Sequence, residues 1–178
     1  MATFRRALTQ GGVYFFTVNT YRRQRILTEP SIYAALKIAM QHVKASHPFN
    51  IKAFVLLSDY LHCIWHLPAG DVNYALRWSL IKRHVSQAVR SHLTEEGTDS
   101  RAKRRGLGLW QRRFWEHQIR DDNDFMRHVD YIHFNPVKHG YVQRVADWPY
   151  STFHRLVESG VYSQNWAGGN EVELAYGD

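Results

Sequence analysis

Two runs rich in β-branched and aromatic residues, Phe49–Leu57 (FNIKAFVLL) and Tyr60–Leu67 (YLHCIWHL), are separated by only Ser58-Asp59. So short a link favours antiparallel pairing, and the two runs predict a tight β-hairpin. Pro48 bounds it on one side and the break Pro68-Ala69-Gly70-Asp71 on the other. Successive strand residues point to opposite faces. Tyr60, His62, Ile64 and His66 therefore share one face, with Leu61, Cys63 and Trp65 on the other.

The flanking segments fix the order of elements around this hairpin. Gly11-Gly12 opens VYFFTVNTY, a first strand over about Val13–Thr20, with Arg22, Arg23 and Arg25 in the loop that follows. Pro30 and Ser31 start a helix whose stripe of Ile32, Ala35, Leu36, Ala39 and Val43 runs to about Ala45. After the hairpin, Asp71 is an N-cap candidate for a long helix over Asn73–Leu93. Its main apolar positions are Leu76, Leu80, Val85 and Val89, and its cationic or titratable ones Arg77, Lys82, Arg83, His84 and Arg90. Thr94–Gly108 reads as a polar, basic loop and Gln111–Arg120 as a fourth strand. The run DDND then suits a helix N-terminus, with a helix over Asp124–Phe134, a short one around Tyr150–Glu158 and a Gly-rich, acidic end from Gly168 to Asp178. The order β-α-β-β-α-β implies a ferredoxin-like α+β sandwich, an antiparallel sheet with helices on one face, followed by a C-terminal helical extension. Residues 1–160 are expected to form one domain and 161–178 a tail.

Charge narrows the partners. Lys and Arg number 23 against 16 Asp and Glu, a formal charge of +7, which favours polyanions. Six Trp and ten Tyr could stack on unpaired bases, although filling the core is the simpler use for most of them. Cys63 is the sole cysteine, so no internal disulfide and no thiolate zinc cluster can form. No long apolar run and no signal peptide is seen, and a cytoplasmic, nucleoid-associated setting is the expectation.

The stretch His128–Gly140, HVDYIHFNPVKHG, carries the candidate chemistry. Its helix is expected to end at Asn135, because Pro136 disfavours the α conformation in the residue before it. Tyr131 and Asn135 are four apart, so on a helix they share a face with Cβ atoms about 6 Å apart. Taken singly, Tyr131 would be a core tyrosine, Asn135 a helix C-cap and His62 a hydrogen-bonded structural histidine. His128, His133 and His139 cluster in sequence but occupy different helical faces or lie beyond the proline, which argues against a histidine-only metal site.

The chain as a whole resembles the REP-associated tyrosine transposases, a branch of the HUH single-tyrosine superfamily. The stretches that carry the resemblance are GGVYFFTVNT, HPFNIKAFVLLSDYLHCIWHLPAGD, RWSLIKRH, LWQRRFWEHQIRDDNDF, HVDYIHFNPVKHGYV and DWPYSTFHR, in order from Gly11 to Arg155. The resemblance implies the ferredoxin-like fold and makes Tyr131 the nucleophile on single-stranded DNA, leaving a 5′-phosphotyrosine and a free 3′-hydroxyl. It also implies a divalent cofactor, Mg²⁺ or Mn²⁺, held by two histidines of a His-hydrophobic-His motif and a polar residue one turn after the tyrosine. Those positions fall on Tyr60, His62 and Asn135.

Tyr60 stands where the first histidine of that motif belongs. A neutral phenol is a poor ligand where an imidazole is a good one. The expectation is therefore weakened metal affinity. Two outcomes stay open: metal-dependent cleavage and rejoining of single strands, or a catalytically impaired relative that still binds hairpins. The implied partner is a REP-type hairpin with a single-stranded flank, met by one chain acting alone. Candidate phosphate contacts, from charge and position, are Arg5, Arg6, Lys82, Arg83, Arg101, Arg104, Arg105, Arg112 and Arg113. A ferredoxin-like RNA binder using its surface aromatics is the alternative of a different class.

Overall fold

The computed structural model of the chain describes residues 9–95 and 108–168. Its elements are β1 (Val13–Asn19), α1 (Pro30–Ser46), β2 (Asn50–Leu56), β3 (Tyr60–His66), α2 (Tyr74–Glu95), β4 (Trp115–Gln118), α3 (Asp122–Lys138) and α4 (Phe153–Glu158). Short 3₁₀ turns lie at Tyr21–Arg23 and Val145–Asp147. The strands form one antiparallel sheet in the order β2-β3-β1-β4, with the hairpin at one side and β1 between β3 and β4. This is the ferredoxin-like arrangement the element order implies.

Strand alternation divides the core in two. Tyr14, Phe16 and Val18 of β1 and Leu61, Cys63 and Trp65 of β3 turn to the face covered by α1 and α2, where Trp65 stacks on Trp78 with ring centroids 4.2 Å apart. Phe15, Val55 and Ile64 turn to the other face and meet Val129 and Ile132 of α3 and Phe153 of α4. Each such buried side chain contributes roughly 1.5–3 kcal/mol, which fixes the strand register on both faces at once. The two crossover helices thus lie on one face, and the C-terminal extension covers the other.

Three local expectations change. Asp71 does not cap α2. Asn73 does so by accepting from Leu76 N at 3.2 Å, while Asp71 binds Arg77 through both carboxylate oxygens at 3.1 and 2.6 Å. Arg77 is buried, and it also donates to the carbonyls of His47 and Pro48, tying α2 to the end of α1. Secondly, β4 is shorter than Gln111–Arg120. Gln111 N does reach Asn19 O, but the Gln111 carbonyl accepts from Lys82 Nζ at 2.8 Å and is turned away from the ladder.

Thirdly, α3 does not stop at Asn135. It begins after Asp121, whose carboxylate accepts from Asp124 N at 2.8 Å, and runs through Pro136 to Lys138. Proline costs the helix one backbone bond. Here that loss falls in the last turn, where His139 N bonds Asn135 O, Tyr141 N bonds Pro136 O, and Gly140 takes the left-handed φ of +72° that closes the helix. The packed body also extends past residue 160. Tyr162 is buried against Phe153 and hydrogen-bonds Asp130, and Trp166 stacks on Tyr162. The expected polar, basic loop and the tail fall largely on 96–107 and 169–178, outside the described residues.

Candidate active site

The face of β3 that carries Tyr60 and His62 looks directly at α3. Tyr131 and Asn135 occupy the facing side of that helix, and all four residues are buried. The hydroxyl of Tyr60 donates to Asn135 Oδ1 at 2.8 Å. The His62 ring lies 5.2 Å from that of Tyr131 and 4.9 Å from that of Tyr60, centroid to centroid. Its Nδ1 shares a hydrogen bond of 2.8 Å with Thr17 Oγ1, the residue directly across the ladder on β1. Thr17 thereby orients the imidazole. Phe15 fills the space beside them, 5.3 Å from His62 and 6.2 Å from Tyr131. The structure therefore brings together Tyr60, His62, Tyr131 and Asn135 from segments 75 residues apart in sequence.

Cations stand at the rim of this cluster. The Arg23 guanidinium lies over the Tyr60 ring at 4.6 Å, and its Nε donates to Asp59 Oδ2 at 2.8 Å. Lys138 Nζ lies 5.2 Å from the centroid of the Tyr131 ring. The His139 ring is 6.2 Å from that of Tyr60. Neither Arg23 nor Lys138 was among the phosphate contacts expected from the sequence; Arg23 reaches Tyr60 by chain reversal, whereas Lys138 lies two turns beyond Tyr131 on the same helix.

Of the expected contacts, Arg83, Arg112 and Arg113 are exposed, while Arg5, Arg6, Arg101, Arg104 and Arg105 lie outside the described residues. Lys82 is partly buried beside Phe114, and burial pushes its ammonium down to about 8. With its Nζ held by the Gln111 carbonyl, Lys82 serves as a tether between α2 and the entry to β4. Lys82 and Arg83 sit on α2, across the sheet from Tyr131.

A second polar cluster adjoins the first. His117 of β4 donates from Nε2 to Asp124 Oδ2 at 2.9 Å, Arg120 N donates to the same oxygen, and His128 Nδ1 donates to the Asp124 carbonyl at 2.7 Å. The His117 and His128 rings stack at 4.7 Å, and His128 also meets Phe15 at 4.8 Å. Burial works against the Asp124 charge, but the bonds from His117 and Arg120 outweigh it and hold the carboxyl below its usual value. Burial is likewise the main reason that His128 is held below the ordinary histidine value. One ligand atom from each of His117, Asp124 and His128 lies within 4.8 Å of the others, a set that could chelate a cation. As it stands it is a hydrogen-bonded clamp from β4 to the start of α3, one turn before Tyr131. Sequence reading missed it because His117 and His128 are on different elements. The remaining histidine of that stretch, His133, bonds Val129 O and Thr152 Oγ1 and serves packing.

Comparison with known proteins places this arrangement. No protein-family model matches the chain. A REP-associated tyrosine transposase from Escherichia coli (strain K12) is 45% identical over 170 residues, spanning 94% of this chain and 92% of the relative. The chain belongs to the REP-associated tyrosine transposases. A Haemophilus influenzae protein described by the same family name is 41% identical over 177 residues, 98% of each chain. A solved REP-associated tyrosine transposase bound to a REP hairpin has the same fold, with a TM-score of 0.82 at 43% identity, covering 100% of this chain and 98% of the other. Among the described residues no helix is long and apolar enough to cross a membrane.

Proposed function

We propose that this chain binds REP-type hairpin DNA, holds its single-stranded flank at Tyr131, and is impaired in metal-assisted strand cleavage by Tyr60. The observation that carries this reading is the 2.8 Å bond from the Tyr60 hydroxyl to Asn135 Oδ1. Hairpin binding rests on family membership and on the solved relative with its REP hairpin.

The family's chemistry implies a divalent ion held by two imidazoles and the polar side chain one turn after the tyrosine. This chain supplies one imidazole, His62. The amide oxygen of Asn135 already accepts a phenolic proton, and its Nδ2 cannot ligate a cation. A neutral phenol adds little as a ligand. The residues present do not fit a tightly held ion.

What remains is the chain's own machinery. Tyr131 is the nucleophile in this reading. Its attack would form a phosphotyrosine bond, break the bond to the 3′ oxygen and pass the phenolic proton to that leaving group. A phenol with an unperturbed pKa near 10 is a weak nucleophile at neutral pH, so the step is slow without strong charge stabilisation. Binding needs none of this.

Fluorescence anisotropy in EDTA with a labelled REP-type DNA hairpin, its RNA counterpart and a duplex of equal length tests the binding half. Preference for the DNA hairpin is expected. Equal affinity for the RNA counterpart would contradict it and favour an RNA-binding module of the same fold.

A further inference from the structure

Among the described residues, only Arg22 and Arg23 take a left-handed backbone without being glycine, at φ +54° and +56°. Two such residues in succession cost roughly 1 kcal/mol or more each and persist only where the surroundings over-determine them. Here the surroundings do so. Thr20, fully buried, receives Arg23 N at its carbonyl and donates from Oγ1 to the carbonyls of Asp59 and Gln24. Tyr21 N bonds Leu109 O, pinning the other side of the turn.

The strain has a specific product, the position of the Arg23 guanidinium. It is held over Tyr60 by Asp59 on Nε and Asn19 on Nη1, while Nη2 makes no hydrogen bond to a described residue. The group is 41% exposed, so one edge of the fork faces solvent beside the Tyr60–Asn135 pair. On the other side of that pair, exposed Lys138 places its Nζ over Tyr131. Two cations from different segments thus flank the two tyrosines. Asp59, the acidic neighbour, is satisfied by Arg23 itself.

We propose that Arg23 and Lys138 grip the phosphodiester of the single-stranded DNA flank that lies against Tyr131. Arg23 offers Nη2 as a hydrogen-bond donor to a phosphate oxygen, and Lys138 contributes a point charge. The pair supplies, at the tyrosine, positive charge that the Tyr60-bearing site cannot draw from a firmly bound ion. The proposal rests on the hairpin-binding reading above and adds to it the residues that hold the flank.

The test is anisotropy in EDTA on three DNAs: the bare hairpin, the hairpin with its single-stranded flank, and the flanked hairpin with one neutral methylphosphonate scanned along the flank. Neutralising one phosphate contact in single-stranded DNA lowers the salt slope by about 0.7. Arg23→Ala and Lys138→Ala are each expected to lower the slope for the flanked hairpin by about that amount and to leave the bare-hairpin slope in place. Arg23→Lys, which retains the charge, keeps most of the slope and controls for disruption of the turn. At one position the methylphosphonate weakens the parent protein but has no further effect in Arg23→Ala. An unchanged flank slope in both alanine variants, with bare-hairpin binding intact, overturns the grip alone. Failure of the parent protein to bind the bare hairpin overturns the reading beneath it, and the grip with it.

Discussion

Tyr60 and Asn135, 75 residues apart in sequence, meet through a buried hydrogen bond of 2.8 Å from the phenol to the amide oxygen. Both side chains are closed from water, and among the described residues the Asn135 Nδ2 has no acceptor. Tyr60→Phe would leave both ends of the amide unbonded in the core. The expected cost is about 1–3 kcal/mol in denaturant unfolding, with the fold retained. A neutral result would mean that the bond adds nothing to the native state.

Arg77 is the most heavily bonded cation on α2. Arg77 is only 1% exposed, and its guanidinium joins Asp71 on both oxygens and the carbonyls of His47 and Pro48. Removing one partner of a buried pair strands the other. Arg77→Ala should destabilise the protein by about 3–5 kcal/mol, read as a lower urea midpoint at unchanged slope. Asp71 lies partly at the surface, so Asp71→Asn should cost less.

His133 makes stability depend on pH. Burial, its largest cause, pushes the imidazole down to about 4, and the bond to the Val129 carbonyl only partly opposes this. The unfolded chain therefore takes up the proton first, near the ordinary value of about 6.5. The contribution of His133 is full above that value, falls as the pH drops, and is lost by about pH 4. The whole loss amounts to about 3 kcal/mol. Burial of His128 pushes in the same direction. Urea titrations from pH 7 to 4 should show a steep decline that His133→Gln flattens.

Much of the site was legible because both of its elements carry simple periods. A period of two put Tyr60 and His62 on one face of β3, and a spacing of four put Tyr131 and Asn135 on one face of α3. Their meeting required only that α3 cover that face. What pattern could not reveal were contacts made by turning the chain back on itself. Arg23 reaches Tyr60 through two left-handed residues that no propensity would assign to arginine. His117 finds Asp124 and His128 across the connection between β4 and α3. Pro136 misled for a related reason: the pre-proline rule describes an isolated backbone, whereas the burial of Asn135 and the closure at Gly140 carry α3 through it. Asp71 looked like a cap until a buried arginine claimed its carboxylate.

The central claim is that Tyr60 separates hairpin binding from metal-assisted cleavage, and Tyr60→His tests it directly. A flanked, labelled REP-type hairpin is incubated with Mn²⁺ and the parent protein, Tyr60→His, or Tyr60→His combined with Tyr131→Phe, and the covalent protein–DNA adduct is measured over time. The account predicts similar hairpin affinity in all three. It predicts adduct forming much faster in Tyr60→His than in the parent, and none in the double variant. An equal rate in the parent and Tyr60→His would contradict it.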